Sequence, residues 1–364
     1  MAQVPAHLRR APELERLLKP AHPRSDVAGE IDGIEGGSPA PAPTLLDALG
    51  RVAWSRGAGC SDVASLLTDV PPIRIDGDLR SSCIRDRVEL LVTRRLSSFD
   101  LVPIVVPHHV GIGRVESVTA AVGDGPHSQL AATVAARVGA TLRVPTAVAT
   151  VYRSKEEIPA ALDRLNRLGS LYPNIKRLAI NQPSATRLVE SLSPATLLVV
   201  GAPGGSWLQR QLFGTGHRLV VGAPGGALVV RSAPRRCFQD AACPAGVAIG
   251  GDLMVKDALQ VLAHPLVPVA EDGRLVGSIR LSALLKADPT LSVAAVMEPP
   301  VAAAAHEPTA TAIAALQGHF GDSPIPVIDS DGCLLGSIPT TPTPAAIRAG
   351  AGPRMRAARA VGHP

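Results

Sequence analysis

Along the middle of the chain, short continuous apolar runs alternate with segments whose apolar residues recur every three or four positions. Runs of the first kind, such as Thr196-Leu-Leu-Val-Val200, predict strands covered on both faces, as in parallel sheets. Glu116-Ser-Val-Thr-Ala-Ala-Val122 reads as a first strand, Ser128 to Val138 as a helix, and Gly139-Ala-Thr-Leu-Arg-Val144 as a second strand. Ser154-Lys-Glu-Glu157 is a capping box that opens a helix through Leu168. Ile175 to Ile180 predicts the third strand, Ser184 to Leu192 the third helix, and Ala223 to Val230 the fifth strand. This alternation predicts an α/β domain over residues 111–233, with a five-stranded, doubly wound parallel sheet. Its apolar edge, Leu228-Val-Val230, is expected to form the seam of a homodimer.

The flanks read differently. Residues 1–43 are rich in Pro, Gly and charge and are expected to be disordered. Residues 44–110 carry no recognisable motif and read as partly helical. Leu45 to Trp54 and Ile84 to Leu96 have helical spacing, and Leu101-Val-Pro-Ile-Val-Val106 suits a strand. The segment is expected to dock on the central domain or to form a small helical cap. Residues 245–340 hold two similar units. Met254 to Leu262 predicts a helix, followed by Leu266 to Ala270, the turn Glu271-Asp-Gly273, and Leu275-Val-Gly-Ser-Ile279. Ala310 to Leu316, Ile325 to Ile328, the turn Asp329-Ser-Asp-Gly332 and Leu334-Leu-Gly-Ser-Ile338 repeat the order. Asp-Gly between apolar runs signals a hairpin. Residues 341–364 are expected to form a flexible tail.

Composition narrows the chemistry. The 364 residues are only 2% aromatic, so the core must be built from Val, Leu, Ile and Ala. A net charge of +5, with arginines scattered in pairs and no basic block, argues against a nucleic-acid surface. The five cysteines are widely spread without a C-x-x-C, which fits a reducing cytoplasm better than a disulfide framework or a zinc site. Cys237, beside Arg235 and Arg236, reads as an ordinary linker thiol, although those arginines would lower its pKa. No run of about 18 apolar residues is present, so no membrane insertion is expected. His108-His109 has no companion at ligand spacing. No carboxylate pair or general base stands out, so at most slow phosphate hydrolysis is expected.

The strongest chemical signal follows the fourth strand. Gly201-x2-Gly204-x9-Gly214-Thr215 is neither the dinucleotide turn nor the P-loop in its spacing. Glycines after a strand let backbone amides approach an anion, and a following helix start adds partial positive charge. Over residues 115–232 the chain resembles the universal stress protein family, whose ATP-binding members carry this spacing after the fourth strand. The resemblance implies that ATP, or else AMP or ADP, is bound, with magnesium present only through the nucleotide. It implies that Gly201, Gly204, Gly214 and Thr215 line the phosphates, with the Gly216 backbone approaching the same group. Val200 and Ala147 would touch the base. The family ends its first strand with Asp near base and ribose; here Gly123 stands at that place and Asp124 one residue later. Asp124 is thus a candidate contact, with a solvated turn residue as the alternative.

The repeated units over residues 245–340 resemble a pair of CBS motifs, which often hold adenosyl ligands. The resemblance places a Thr or Ser and an Asp just past the second strand of each unit. This chain has Arg280 and Ala283 there in the first unit, and Pro339 and Pro342 in the second. Ligand binding by the pair is expected to be degraded, which makes a dimerising or scaffolding role its alternative. The combined expectation is a cytoplasmic stress-response or regulatory protein that binds an adenine nucleotide and acts on an unidentified protein client. The alternative is a nucleotide-independent scaffold.

Overall fold

The computed structural model describes residues 28–30, 50–95, 99–125, 127–169, 171–202, 215–242 and 248–340. The expected tail at 341–364 and most of the expected disordered segment lie outside them, as do Gly204 and Gly214. In chain order the first elements are β1 (Ala28–Glu30), β2 (Val52–Ser55), α1 (Cys60–Leu66), β3 (Ile73–Ile75), α2 (Leu79–Arg85), β4 (Leu90–Val92) and β5 (Ile104–His108). The central domain then gives β6 (Ser117–Ala121), α3 (Ser128–Leu142), β7 (Thr146–Tyr152), α4 (Ile158–Gly169) and β8 (Lys176–Asn181). A 3-10 segment (Ala185–Ser191), β9 (Thr196–Gly201), α5 (Thr215–Gly222) and β10 (Ala227–Arg231) complete it.

One ten-stranded sheet runs β1-β8-β7-β6-β9-β10-β5-β4-β2-β3. Its central block, β8-β7-β6-β9-β10, is parallel throughout, as the alternation of apolar runs requires. Thr196 to Val200 is buried at every position because both faces of β9 are covered. Val199 faces one core with Val118, Val134 and Val138 of β6 and α3, while Val200 faces the other with Leu188 and Leu219. Helices on both sides make the block doubly wound.

Several expectations need correction. The second strand is Thr146–Tyr152 rather than 139–144, because α3 continues its apolar stripe through Val138 to Leu142. Gly139 sits where the returning chain crosses α3: a Cβ there would lie 1.8 Å from Thr146 Oγ1. The residues called a capping box form a 3-10 turn, Lys155–Glu157, whose Ser154 makes no side-chain cap. Glu157 instead accepts the Arg153 N–H at 2.8 Å. Leu228–Val230 cannot be a dimer seam, because β10 is interior: β5 pairs with it antiparallel through Val229↔Val106. Ala28–Glu30, within the segment expected to be disordered, pairs antiparallel with β8.

The segment 44–110 is not a helical cap. Val52–Ser55 and Leu90–Val92, read as helical, are strands of a second parallel block, β5-β4-β2-β3. Each is only three or four residues long, too short for periodicity to separate strand from buried helix. Their faces still alternate: Val52, Leu90 and Val92 join the core under α1, and Ala53 and Leu91 point to the opposite side. The two blocks run in opposite directions, so their carboxyl edges lie on opposite sides of the sheet.

A short helix, α6 (Cys237–Asp240), leads to the tandem units. The first comprises α7 (Val255–Val261), β11 (Leu266–Glu271), β12 (Arg274–Arg280) and α8 (Leu281–Leu284). The second comprises β13 (Ala303–Ala304), α9 (Thr309–Phe320), β14 (Ile325–Ile328) and β15 (Leu334–Ile338). Helix and hairpin fall where the pattern places them. Asp272 and Gly273 both have positive φ, 49° and 78°, as a tight hairpin turn demands. The hairpin tips meet through reciprocal bonds: Leu275 N–H donates to Gly332 O at 3.0 Å, and Leu334 N–H to Gly273 O at 2.8 Å. This exchange gives the repeat a local twofold relation. The Gly-Ser-Ile glycines are sterically required. A Cβ on Gly336, at φ 148°, would lie 1.7 Å from Ala242 O, and one on Gly277 would lie 2.9 Å from Glu298 O.

One apolar cluster joins the second unit to the sheet. It contains Ala53, Cys83, Val88 and Leu91 from the second block, Cys237 and Phe238 from α6, and Phe320, Ile325 and Val327 from the second unit. Polar ties frame it: Arg236 donates to Asp100 O at 2.8 Å and His306 O at 3.2 Å, and Arg87 to Ala241 O at 2.8 Å.

Candidate functional site

The strand order places β6 and β9 side by side at the point where the winding reverses, and crevices at such points hold ligands in open α/β sheets. Gly201 ends β9 at that crevice. His127, in the turn before α3, lies directly over it, so a Cβ on Gly201 would be 3.0 Å from the His127 Cβ. Ser232, one residue past β10, holds the ring: its N–H donates to Nδ1 at 3.1 Å and its hydroxyl lies 2.7 Å from the same atom. Burial and the nearby Arg231 both push the His127 pKa down, so the ring is neutral near pH 7.

The expected site residues are only partly brought together. Gly201 and Val200 stand at the crevice, but the Val200 side chain is 2% exposed and belongs to the core. Thr215 and Gly216 begin α5. Ala147 does not sit with them. It is the second residue of β7, toward the amino edge, because the strand begins later than the sequence pattern placed it. Gly123 has committed its backbone: its N–H donates to Ser128 Oγ at 3.0 Å, and the Ser128 hydroxyl donates to its carbonyl at 2.8 Å. Asp124 is a largely exposed turn residue, as the alternative had it, but it is paired with an arginine. It accepts two bonds from Arg164, Nε to Oδ1 at 2.9 Å and Nη2 to Oδ2 at 2.6 Å. The guanidinium holds the Asp124 carboxyl below its usual pKa.

Arg164 is the residue that sequence reasoning missed. It lies on α4 within the spacing Ala161, Leu165, Leu168, whose members are all buried. An arginine beside an apolar helix stripe is the signal that marks it. Its side chain is 15% exposed, and Nη1 donates to Thr150 Oγ1 at 2.8 Å. Thr150 in turn donates to Val122 O at 3.0 Å. Arg164 and Thr150 line a cavity of about 140 Å3 with Val122, Gly123, Leu188 and Leu219. A larger cavity, about 350 Å3, opens at the amino edge between Gly139, Thr146 and Tyr172, away from the glycine motif.

The tandem units carry less. Arg280 faces Glu298 at 3.3 Å, and Ala283 packs into the core of the first unit. Pro342 lies outside the described residues. The lowered pKa weighed for Cys237 is reversed: burial, with Glu307 and Asp240 nearby, pushes the thiol up to about 12. Among the described residues, no group of three or more His, Cys, Asp or Glu is placed to hold a metal ion. Among them, too, no helix is long and apolar enough to cross a membrane.

No protein-family model and no curated protein matches the chain, so the likeness to universal stress proteins gains no support there. Among solved structures the chain is similar to the soluble part of a magnesium transporter, at 19% identity and a TM-score of 0.26. That match covers 29% of this chain and 44% of the other, less than half the transporter fragment's length. A CBS-pair protein from Arabidopsis thaliana is similar at 20% identity over 32% of this chain and 95% of its own, with a TM-score of 0.28. The cytosolic domain of the magnesium channel MgtE, in complex with ATP, is similar at 19% identity over 60% of this chain and 83% of its own, with a TM-score of 0.26. The structural neighbours include CBS-domain-pair proteins; TM-scores this low carry the comparison no further.

Proposed function

We propose that this chain is a ligand-responsive regulatory protein of the cytoplasmic stress-response kind. Its central block binds an adenine nucleotide at the β6–β9 crevice, and its tandem units form a CBS-like pair that responds to occupancy. One observation carries the reading: a five-stranded parallel block whose winding reverses beside β9, the strand that runs into the glycine motif. The apolar cluster shared by the second unit and the sheet supports coupling, since a ligand that favours one packing of this cluster would shift the whole. Calorimetric titration of the full chain with ATP, ADP and AMP tests it. Wild type is expected to bind, and Gly204→Val and Gly214→Val to lose binding. Equal affinity in all three proteins would remove the site.

His127 over Gly201 and the closed Asp124–Arg164 pair favour a second reading, a scaffold that needs no nucleotide. An unchanged melting temperature in millimolar ATP, ADP and AMP would support it.

A further inference from the structure

The contacts of Arg164 are unequal in a way that bears on ligand recognition. Beneath it, Thr150 is 2% exposed and fixed to the Val122 carbonyl, so the Nη1 side of the guanidinium is anchored to the sheet. The opposite side, Nε and Nη2, presents two parallel donors, the geometry that matches a carboxylate or phosphoryl group. Its present occupant is a poor permanent partner. Asp124 belongs to the turn after β6, and its side chain is 76% exposed. Water can therefore take up the released carboxylate, while the largely buried guanidinium has to receive another anion in exchange. Beside the guanidinium is a cavity of about 140 Å3 whose remaining walls are largely apolar, a setting that strengthens a charge-assisted bond.

We propose that Arg164 is the phosphate clamp of the carboxyl-edge site and that Asp124 is its internal stand-in anion, displaced when a phosphoryl group enters. The ligand class rests on the nucleotide reading above. In this arrangement Asp124 does not grip ribose; it keeps the clamp neutralised until the ligand arrives. Displacement moves no proton and breaks no covalent bond. The carboxylate passes to solvent and the phosphoryl oxygens take its two donors.

The test is calorimetric titration of the full chain, wild type and variants, with ATP, adenosine and pyrophosphate. Asp124→Asn, which removes the competing charge, is expected to bind ATP and pyrophosphate roughly fivefold more tightly. Arg164→Gln is expected to weaken both by about tenfold or more. Adenosine, which has no phosphoryl group, should change less than about twofold in either variant. A purely structural pair would instead weaken binding in both variants and for all three ligands, and that result would overturn the proposal. So would ATP binding to Arg164→Gln within twofold of wild type. If Arg164→Gln fails to fold, Asp124→Asn decides, because only a displaced competitor makes its loss tighten binding. Arg164-dependent pyrophosphate binding, without ATP or adenosine binding, would refute the nucleotide reading and leave the clamp standing. Binding of none of these anions by wild type or Asp124→Asn would refute the clamp.

Discussion

Phe238 offers the sharpest test of how the tandem units are tied to the sheet. It is fully buried, with 0% exposure, in a four-residue helix that could not stand alone. Its cluster draws Val88 and Leu91 from the second block and Phe320, Ile325 and Ile338 from the second unit, so the ring lies in the joint itself. Replacing Phe238 by Ala removes the ring from a close-packed site, at a cost of about 3–5 kcal/mol. Against a total stability of roughly 5–15 kcal/mol for a folded domain, that loss is a large fraction. The position of the loss matters as much as its size. Wild type is expected to unfold in urea in one transition, because block and units share this core. The variant is expected to unfold in two, the tandem units releasing first. Far-UV circular dichroism and size exclusion across a urea series would follow both steps. A single transition of unchanged slope, displaced by less than about 1 kcal/mol, would refute the shared-core account.

Three further outcomes are expected. Burial pushes the Cys83 and Cys237 thiols up to about 12 from 9.0, with nearby carboxylates adding to the rise. The folded state therefore keeps protons that the unfolded state releases, so stability is full below pH 9 and falls as pH rises toward 12. Urea midpoints measured across that range would show the slope, and Cys83→Ala with Cys237→Ala should reduce it. Gly336→Ala is expected to destabilise by more than about 2 kcal/mol, since a Cβ would strike Ala242 O at an unfavourable φ; a thermal melt within 2 °C of wild type, roughly the effect of a minor surface change, would contradict this. His127→Gly removes the Cβ that lies over Gly201 and is expected to raise ATP affinity, whereas the scaffold reading expects no binding by either protein.

Much of the tandem region was readable in advance. Each Asp-Gly turn sits between apolar runs, and both units repeat the same order of helix, strand, turn and Gly-Ser-Ile strand. These are local statements about allowed φ and side-chain volume, and a linear string carries them. Arg164 was readable only in part. Its position beside the stripe of Ala161, Leu165 and Leu168 marks it as unusual, but its partners Thr150 and Asp124 lie far away in sequence.

Sequence by itself determined most of the parallel central block, β9 above all, because a strand covered on both faces is apolar along nearly its whole length; β7 was misplaced. It also determined the hairpins and the glycine motif, which follow from backbone freedom at single residues. Only the tertiary structure decided that β10 is interior, that β2, β3, β4 and β5 form a second parallel block, and that Asp124 is held by an arginine. Strands of three or four residues carry too few positions for periodicity to show. Pairings between distant residues depend on where the chain returns, which no local pattern encodes.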